Sequence, residues 1–150
     1  MKKFSVVLIC FFLSMSSIPL QSYAEGQPFY LGSWKGSSKK MAAELKGKYH
    51  TDIWQQLVMV GSILKVNITL DTLTIDASFF GGSNTGKYKI LSITNDVVEV
   101  EIIDASSGNR NMEVGSHYSL EQRSDDAINL KLKNEEQPDQ TLQYILERSE

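Results

Sequence analysis

The chain has a single cysteine, Cys10, and it lies in an N-terminal apolar run rather than in the body of the sequence. Whatever the remaining residues fold into has no disulfide to hold it. A small disulfide-stapled scaffold is excluded, and stability has to come from packing and strand pairing. Histidine is nearly as scarce. His50 has Asp52 close by and His117 has Glu113, and there is no third histidine. Metal sites need several converging ligands, usually with a His or Cys pair at short spacing, so neither a metal nor another cofactor is expected. The serines include no Gly-x-Ser-x-Gly elbow. The carboxylate pairs Glu99/Glu101, Asp125/Asp126 and Glu135/Glu136 fall on outward positions or in turns, as a solvated surface would. No catalytic constellation stands out, and the chain is not expected to be an enzyme. The formal charge of −3 is mildly acidic, which argues against nucleic acid and anionic lipid as partners.

A long apolar run is also missing. The stretch from Phe4 to Leu13 is apolar but too short to span a bilayer. Lys2 and Lys3 precede it, and Ser22-Tyr23-Ala24 places small residues at −3 and −1 of a cleavage site. Residues 1–24 therefore read as a secretory signal peptide cut after Ala24, leaving one domain over residues 25–150 in the periplasm or outside the cell. Cys10 lies far from that cut and lacks the small-residue context of a lipidated cysteine, so no stable membrane anchor is expected.

What remains is a clear succession of patterns. Phe29-Tyr30-Leu31-Gly32-Ser33-Trp34-Lys35 reads as a first strand, with Pro28 just before it, where a missing N–H does no harm. Ser37 and Ser38 precede a helix-forming segment, Lys39 to Lys46, which Gly47 ends. Thr51-Asp52 caps a second helix, Ile53 to Val60, stopped by Gly61. Ile53, Leu57 and Val60 form its apolar stripe, and Trp54 and Val58 widen it.

From Ser62 the period becomes two. Leu64, Val66, Ile68 and Leu70 alternate with polar residues. Leu73, Ile75, Ala77 and Phe79 do the same after a two-residue turn at Asp71-Thr72, which sets Leu70 opposite Leu73. Gly81 to Gly86 reads as a flexible loop. A phosphate cradle is the alternative, but the lysine and the following helix it needs are missing. Lys87 to Ile93 and Val97 to Ile103 pair across a three-residue turn, Thr94-Asn95-Asp96. This points Tyr88, Ile90, Val98, Val100 and Ile102 inward and sets Lys89 opposite Glu101. After a polar loop, Asp104 to Asn111, a long strand runs from Met112 to Gln122 with Val114, Tyr118 and Leu120 on it. A three-residue turn, Asp125 to Ala127, sets Leu120 opposite Leu132 and Glu121 opposite Lys131. Thr141 to Arg148 is the last strand, with Leu142, Tyr144 and Leu146 on one face. The fold class that follows is mostly β: an antiparallel, up-and-down, eight-stranded barrel with a short helix pair between strands 1 and 2.

The opening Phe29-Tyr30-Leu31-Gly32-Ser33-Trp34 resembles the Gly-x-Trp signature of the lipocalin and fatty-acid-binding group, the calycins. The helix pair behind it is similar to the lid helices of the fatty-acid-binding branch. The ending Tyr144-Ile145-Leu146-Glu147-Arg148 is similar to that group's last strand, where a basic side chain packs over the tryptophan. The residue-level match is Gly32, Trp34 and Arg148. Two features depart from the pattern: eight strands where the fatty-acid-binding branch has ten, and neither the disulfide nor the long C-terminal helix common in lipocalins. A bacterial secreted lipocalin-like domain is the closest description. The resemblance implies structural closure by Gly32, Trp34 and Arg148. It also implies a barrel that binds a small hydrophobic ligand, lipid- or fatty-acid-like, without turnover.

The residues expected around such a ligand are Val66, Ile75, Phe79, Ile90 and Val100. Trp54 belongs to a lid, and Tyr88, Tyr118 and Tyr144 could orient a polar end. A barrel filled by its own side chains is the plain alternative. A periplasmic inhibitor or immunity protein, meeting a partner enzyme through the loops Gly81 to Gly86 and Asp104 to Asn111, is the other functional reading.

Overall fold

The computed structural model describes residues 27–77, 82–106, 112–133 and 141–149. The expected leader, Phe79 and Gly81 lie outside them. Eight strands form a closed antiparallel barrel in which every strand pairs with its neighbours in sequence, and β1 (Gly32–Gly36) pairs with β8 (Leu142–Arg148). Closure leaves no sheet edge running the length of the barrel. Two helices, α1 (Ser38–Glu44) and α2 (Thr51–Gly61), sit between β1 and β2 (Lys65–Ile68). Neither cap residue, Ser37 for α1 or His50 for α2, makes a side-chain capping bond.

β1 is shorter than the apolar run suggests. Phe29 and Tyr30 leave the sheet in a turn, closed by the Leu31 N–H donating to the Pro28 carbonyl at 3.0 Å. The Trp34 indole N–H then donates to the Tyr30 carbonyl at 3.0 Å, pulling that segment across the end of the barrel. Trp34 is 1% exposed.

The hairpins keep the expected faces, but their turns move. β2 and β3 (Thr72–Ala77) pair Ile68 with Leu73 rather than Leu70 with Leu73. Leu70 is at the turn tip, 77% exposed, not inward. The stretch read as a flexible glycine loop is strand from Gly82 onward: β4 (Gly82–Ile93) pairs Ala77 with Gly82 and Ile75 with Asn84. β4 and β5 (Val97–Ala105) pair Lys89 with Glu101 and Ile90 with Val100, as the charge pattern requires. Past Ile90 an irregularity at Leu91 shifts the register, so the turn is Asn95-Asp96 and not three residues. β3 ends at a Thr72–Lys87 pair, so Lys89 to Ile93 run on without a neighbour on that side. Ile90 accordingly projects past the barrel wall and is exposed, as is Ile93.

The strand expected from Met112 starts later, as β6 (His117–Ser124). Gly115, at φ +94°, sits in a turn in which the Ser116 N–H donates to the Glu113 carbonyl. That turn buries Met112 and leaves Val114 exposed. β7 (Ala127–Lys133) pairs with β6 two residues out of the expected register, Leu120 with Leu130 and Tyr118 with Leu132. A shift of two preserves every face. Glu121 still reaches Lys131, at 2.7 Å across the diagonal.

The helices were expected to lie over the barrel mouth. Most of their apolar surface instead packs on the outside of β8. Met41, Leu45 and Leu57 enclose Ile145, which points away from the interior, in a second small core. α1 is tied down by Lys40–Glu147 and by Arg123–Glu44. Among the described residues no helix is long and apolar enough to cross a membrane.

Candidate functional site

The two ends of the barrel differ. At one end lie the β2–β3, β4–β5 and β6–β7 turns; at the other lie the helices. The turn end is shut. The Arg148 guanidinium lies 4.3 Å from the Trp34 ring centroid and donates to the carbonyls of Leu31 and Phe29, each at 3.2 Å. A Cβ on Gly32 would come within 2.9 Å of the Arg148 Nη1, and φ is +121° there, so the close fit needs glycine on both counts. Tyr88 belongs to this end, its hydroxyl donating to the Thr69 carbonyl. Burial pushes the Tyr88 hydroxyl up to about 12.

The helix end holds a cavity of about 150 Å3. Its walls come from the inward positions of β3, β4, β6, β7 and β8, with Val60 and Leu64 closing the top beside the end of α2. The reason for a void here is on β4. Of its inward positions, Gly82 and Gly86 carry no side chain, and Asn84 lies between them. Met112 and Ile102 cover Gly86 so closely that a Cβ there would meet them at 3.0 and 3.1 Å. Among the described residues no such cover falls within 4 Å of a Cβ on Gly82, and Gly82 and Asn84 line the cavity beside Ile75 and Ala77.

Of the residues expected around a ligand, the structure brings together Ile75, Tyr118 and Tyr144. Phe79 lies outside the described residues, and the remaining ones do not line the cavity. Val66 and Val100 are buried in the main core. Tyr88 closes that end, and Ile90 projects past it. Trp54 packs in the outer helix core and donates its indole N–H to the Met41 carbonyl at 3.4 Å. Leu132, Leu142, Ala77, Asn84 and Met112 were not among the expected residues but line the cavity. Alternation already placed Leu142 and Ala77 on inward faces. For Asn84, inside an apparent loop, no signal existed.

The polar groups of the cavity are Asn84, Tyr118 and Tyr144. Asn84 and Tyr118 are engaged within the protein. Burial raises the pKa of Tyr118, and the neighbouring Tyr144 adds to the effect. Burial likewise raises that of Tyr144, with Tyr49 adding to it. Both stay neutral phenols at physiological pH. Tyr49, nearer the surface, donates to the Thr141 carbonyl at 2.8 Å.

The histidines lie apart from this cavity's lining. His50 sits 3.6 Å from Asp52 on the surface, and His117 3.7 Å from Glu101 on the outer face of the sheet. Among the described residues no group of three or more His, Cys, Asp or Glu is placed to hold a metal ion.

No protein-family model matches the chain, and a search of curated proteins finds no match.

Proposed function

We propose that this chain is a secreted or periplasmic lipocalin-like protein that holds a small hydrophobic molecule in its barrel without chemical turnover. The supporting observation is the cavity: an apolar space of about 150 Å3 at one end of a barrel whose other end is shut. A void of this size is ring-sized. It lies below the ~300–1,000 Å3 of pockets that engulf drug-sized ligands. A molecule burying ~200 Å2 of apolar surface gains ~5 kcal/mol before ordering costs, which makes a high-micromolar Kd the expected range.

Ala77 tests this. It is small, lines the cavity and is only partly buried. Ala77→Phe should fill the space, leave the fold intact and abolish binding of toluene, read by native mass spectrometry and by ligand-observed NMR. A wild type that binds no small apolar probe, or a variant that binds as well as wild type, would count against the reading.

One observation favours a second reading, an inhibitor or immunity-type protein. Leu70, Ile90, Leu91 and Ile93 are exposed at the turn end, where β4 outruns its neighbour. The glycine-rich stretch from Gly82 no longer supplies a loop for such contacts, so the protruding hairpin takes that role. Affinity capture of a specific enzyme by wild type, lost in the Ile90→Lys, Ile93→Lys variant, would support it.

A further inference from the structure

Resting on the ligand reading above, we propose that the cavity selects a compact, uncharged molecule with one hydrogen-bond-accepting group. That group would accept from the Tyr144 hydroxyl. Small aromatic or alicyclic ketones, aldehydes and esters are the chemical class.

Three observations converge. Among the described residues lining the cavity there is no Lys, Arg or His. A carboxylate placed inside would lose its hydration and meet no cation among those residues in return. Fatty acids are disfavoured by their head as well as by their length. Second, the polar side chains among the described lining residues are Asn84, Tyr118 and Tyr144. Asn84 and Tyr118 have interactions within the protein. Tyr144 lines the same space, yet its hydroxyl makes no hydrogen bond among the described residues. A phenol donor beside an apolar void is left to find its acceptor in whatever fills that void. Third, burial favours the neutral, proton-bearing form of Tyr144, so its hydroxyl has a hydrogen to donate near neutral pH.

The test measures Kd by calorimetry for toluene, acetophenone, benzoate and decanoate, on wild type, Tyr144→Phe and Tyr118→Phe, with thermal melts to establish that each variant is folded. Acetophenone should bind wild type at least about ten-fold more tightly than benzoate or decanoate. Tyr144→Phe should weaken acetophenone by about five- to ten-fold, the loss of one buried hydrogen bond, and change toluene by less than about two-fold. Tyr118→Phe should affect acetophenone less than Tyr144→Phe does. Benzoate or decanoate binding as tightly as acetophenone would overturn the selection. So would equal losses for toluene and acetophenone in Tyr144→Phe. Toluene binding without acetophenone would overturn this inference and leave the ligand reading standing. Binding of none of the probes would overturn both.

Discussion

Arg148 lies over Trp34 with its guanidinium carbon 4.3 Å from the indole centroid, and the two residues face each other across the β1–β8 pairing. One side chain therefore joins the two ends of the chain, caps the indole and satisfies two carbonyls of the segment that shuts the barrel. Arg148→Ala should cost about 2–4 kcal/mol, from a cation–π contact of ~0.5–2 kcal/mol and charge-assisted hydrogen bonds of ~1.5–3 kcal/mol that overlap in part. Arg148→Lys should recover less than half of that, since an ammonium cannot fork between the Phe29 and Leu31 carbonyls. Urea melts, with Trp34 emission read in a Trp54→Phe background, check both. Unchanged melts would mean the contact adds nothing to closure.

Gly36 and Gly61 form a second close contact, between the end of β1 and the end of α2. A Cβ on Gly36 would lie 2.0 Å from the Gly61 carbonyl oxygen, and one on Gly61 would lie 1.8 Å from the Met41 Cε. The obstacle is rigid backbone in the first case and a flexible methionine tip in the second. Gly36→Ala should therefore destabilise by about 3 kcal/mol or more, at the upper end of overpacking costs. Gly61→Ala should cost under about 2 kcal/mol, partly offset by the ~1 kcal/mol helix preference of alanine. Denaturant midpoints should rank them in that order, and the reverse order would refute the contact.

Alkaline pH should destabilise the barrel. Tyr88 has a hydroxyl pKa raised from 10.0 to about 12, mainly by burial. An acid whose folded pKa lies above its unfolded value contributes stability that is complete below pH 10 and lost as pH climbs through 12. Wild-type stability should be flat up to about pH 10 and then fall. Tyr88→Phe should lose about 1 kcal/mol at neutral pH with the bond to Thr69, and the gap to wild type should narrow above pH 10. Parallel denaturant series across that range, with tyrosinate absorbance as the titration signal, measure it. A constant gap would show that Tyr88 is not the responsible group.

Export is expected to remove residues 1–24. Mass spectrometry of the protein recovered from periplasm or medium should give a chain beginning at Glu25. An intact Met1 terminus, or a lipid on Cys10, would contradict it.

Much of the barrel was legible from period-two alternation alone, because alternation is a local consequence of the pleat. Leu64, Val66 and Ile68 face inward as their spacing dictates, and so do Leu73, Tyr118, Leu130 and Leu146. The turns were less legible for a specific reason. Pairing Leu120 with Leu130 or with Leu132 buries the same set of side chains, so hydrophobic pattern does not separate registers two apart. The Lys89–Glu101 pair did locate one register, because charge breaks that tie. Gly82 to Gly86 were misread as a loop because a strand without apolar residues has no alternation to show. Its neighbours β3 and β5 hold it in the sheet.

By itself the sequence determined most of the inward positions, Leu70, Ile90 and the start of β4 excepted, where the helices fall, and that Trp34 and Arg148 sit in the first and last strands. These follow from periodicity and chain order, which are local. Tertiary structure alone decided how far along the barrel axis each inward residue lies. Val66 and Val100 thus became solid core, while Ala77 and Asn84 border a void. It also decided that most of the helices' apolar surface covers Ile145 on the outside, with Val60 of α2 reaching the cavity. Height and facing depend on strand stagger and on which surfaces meet after closure, and no window along the chain carries that information.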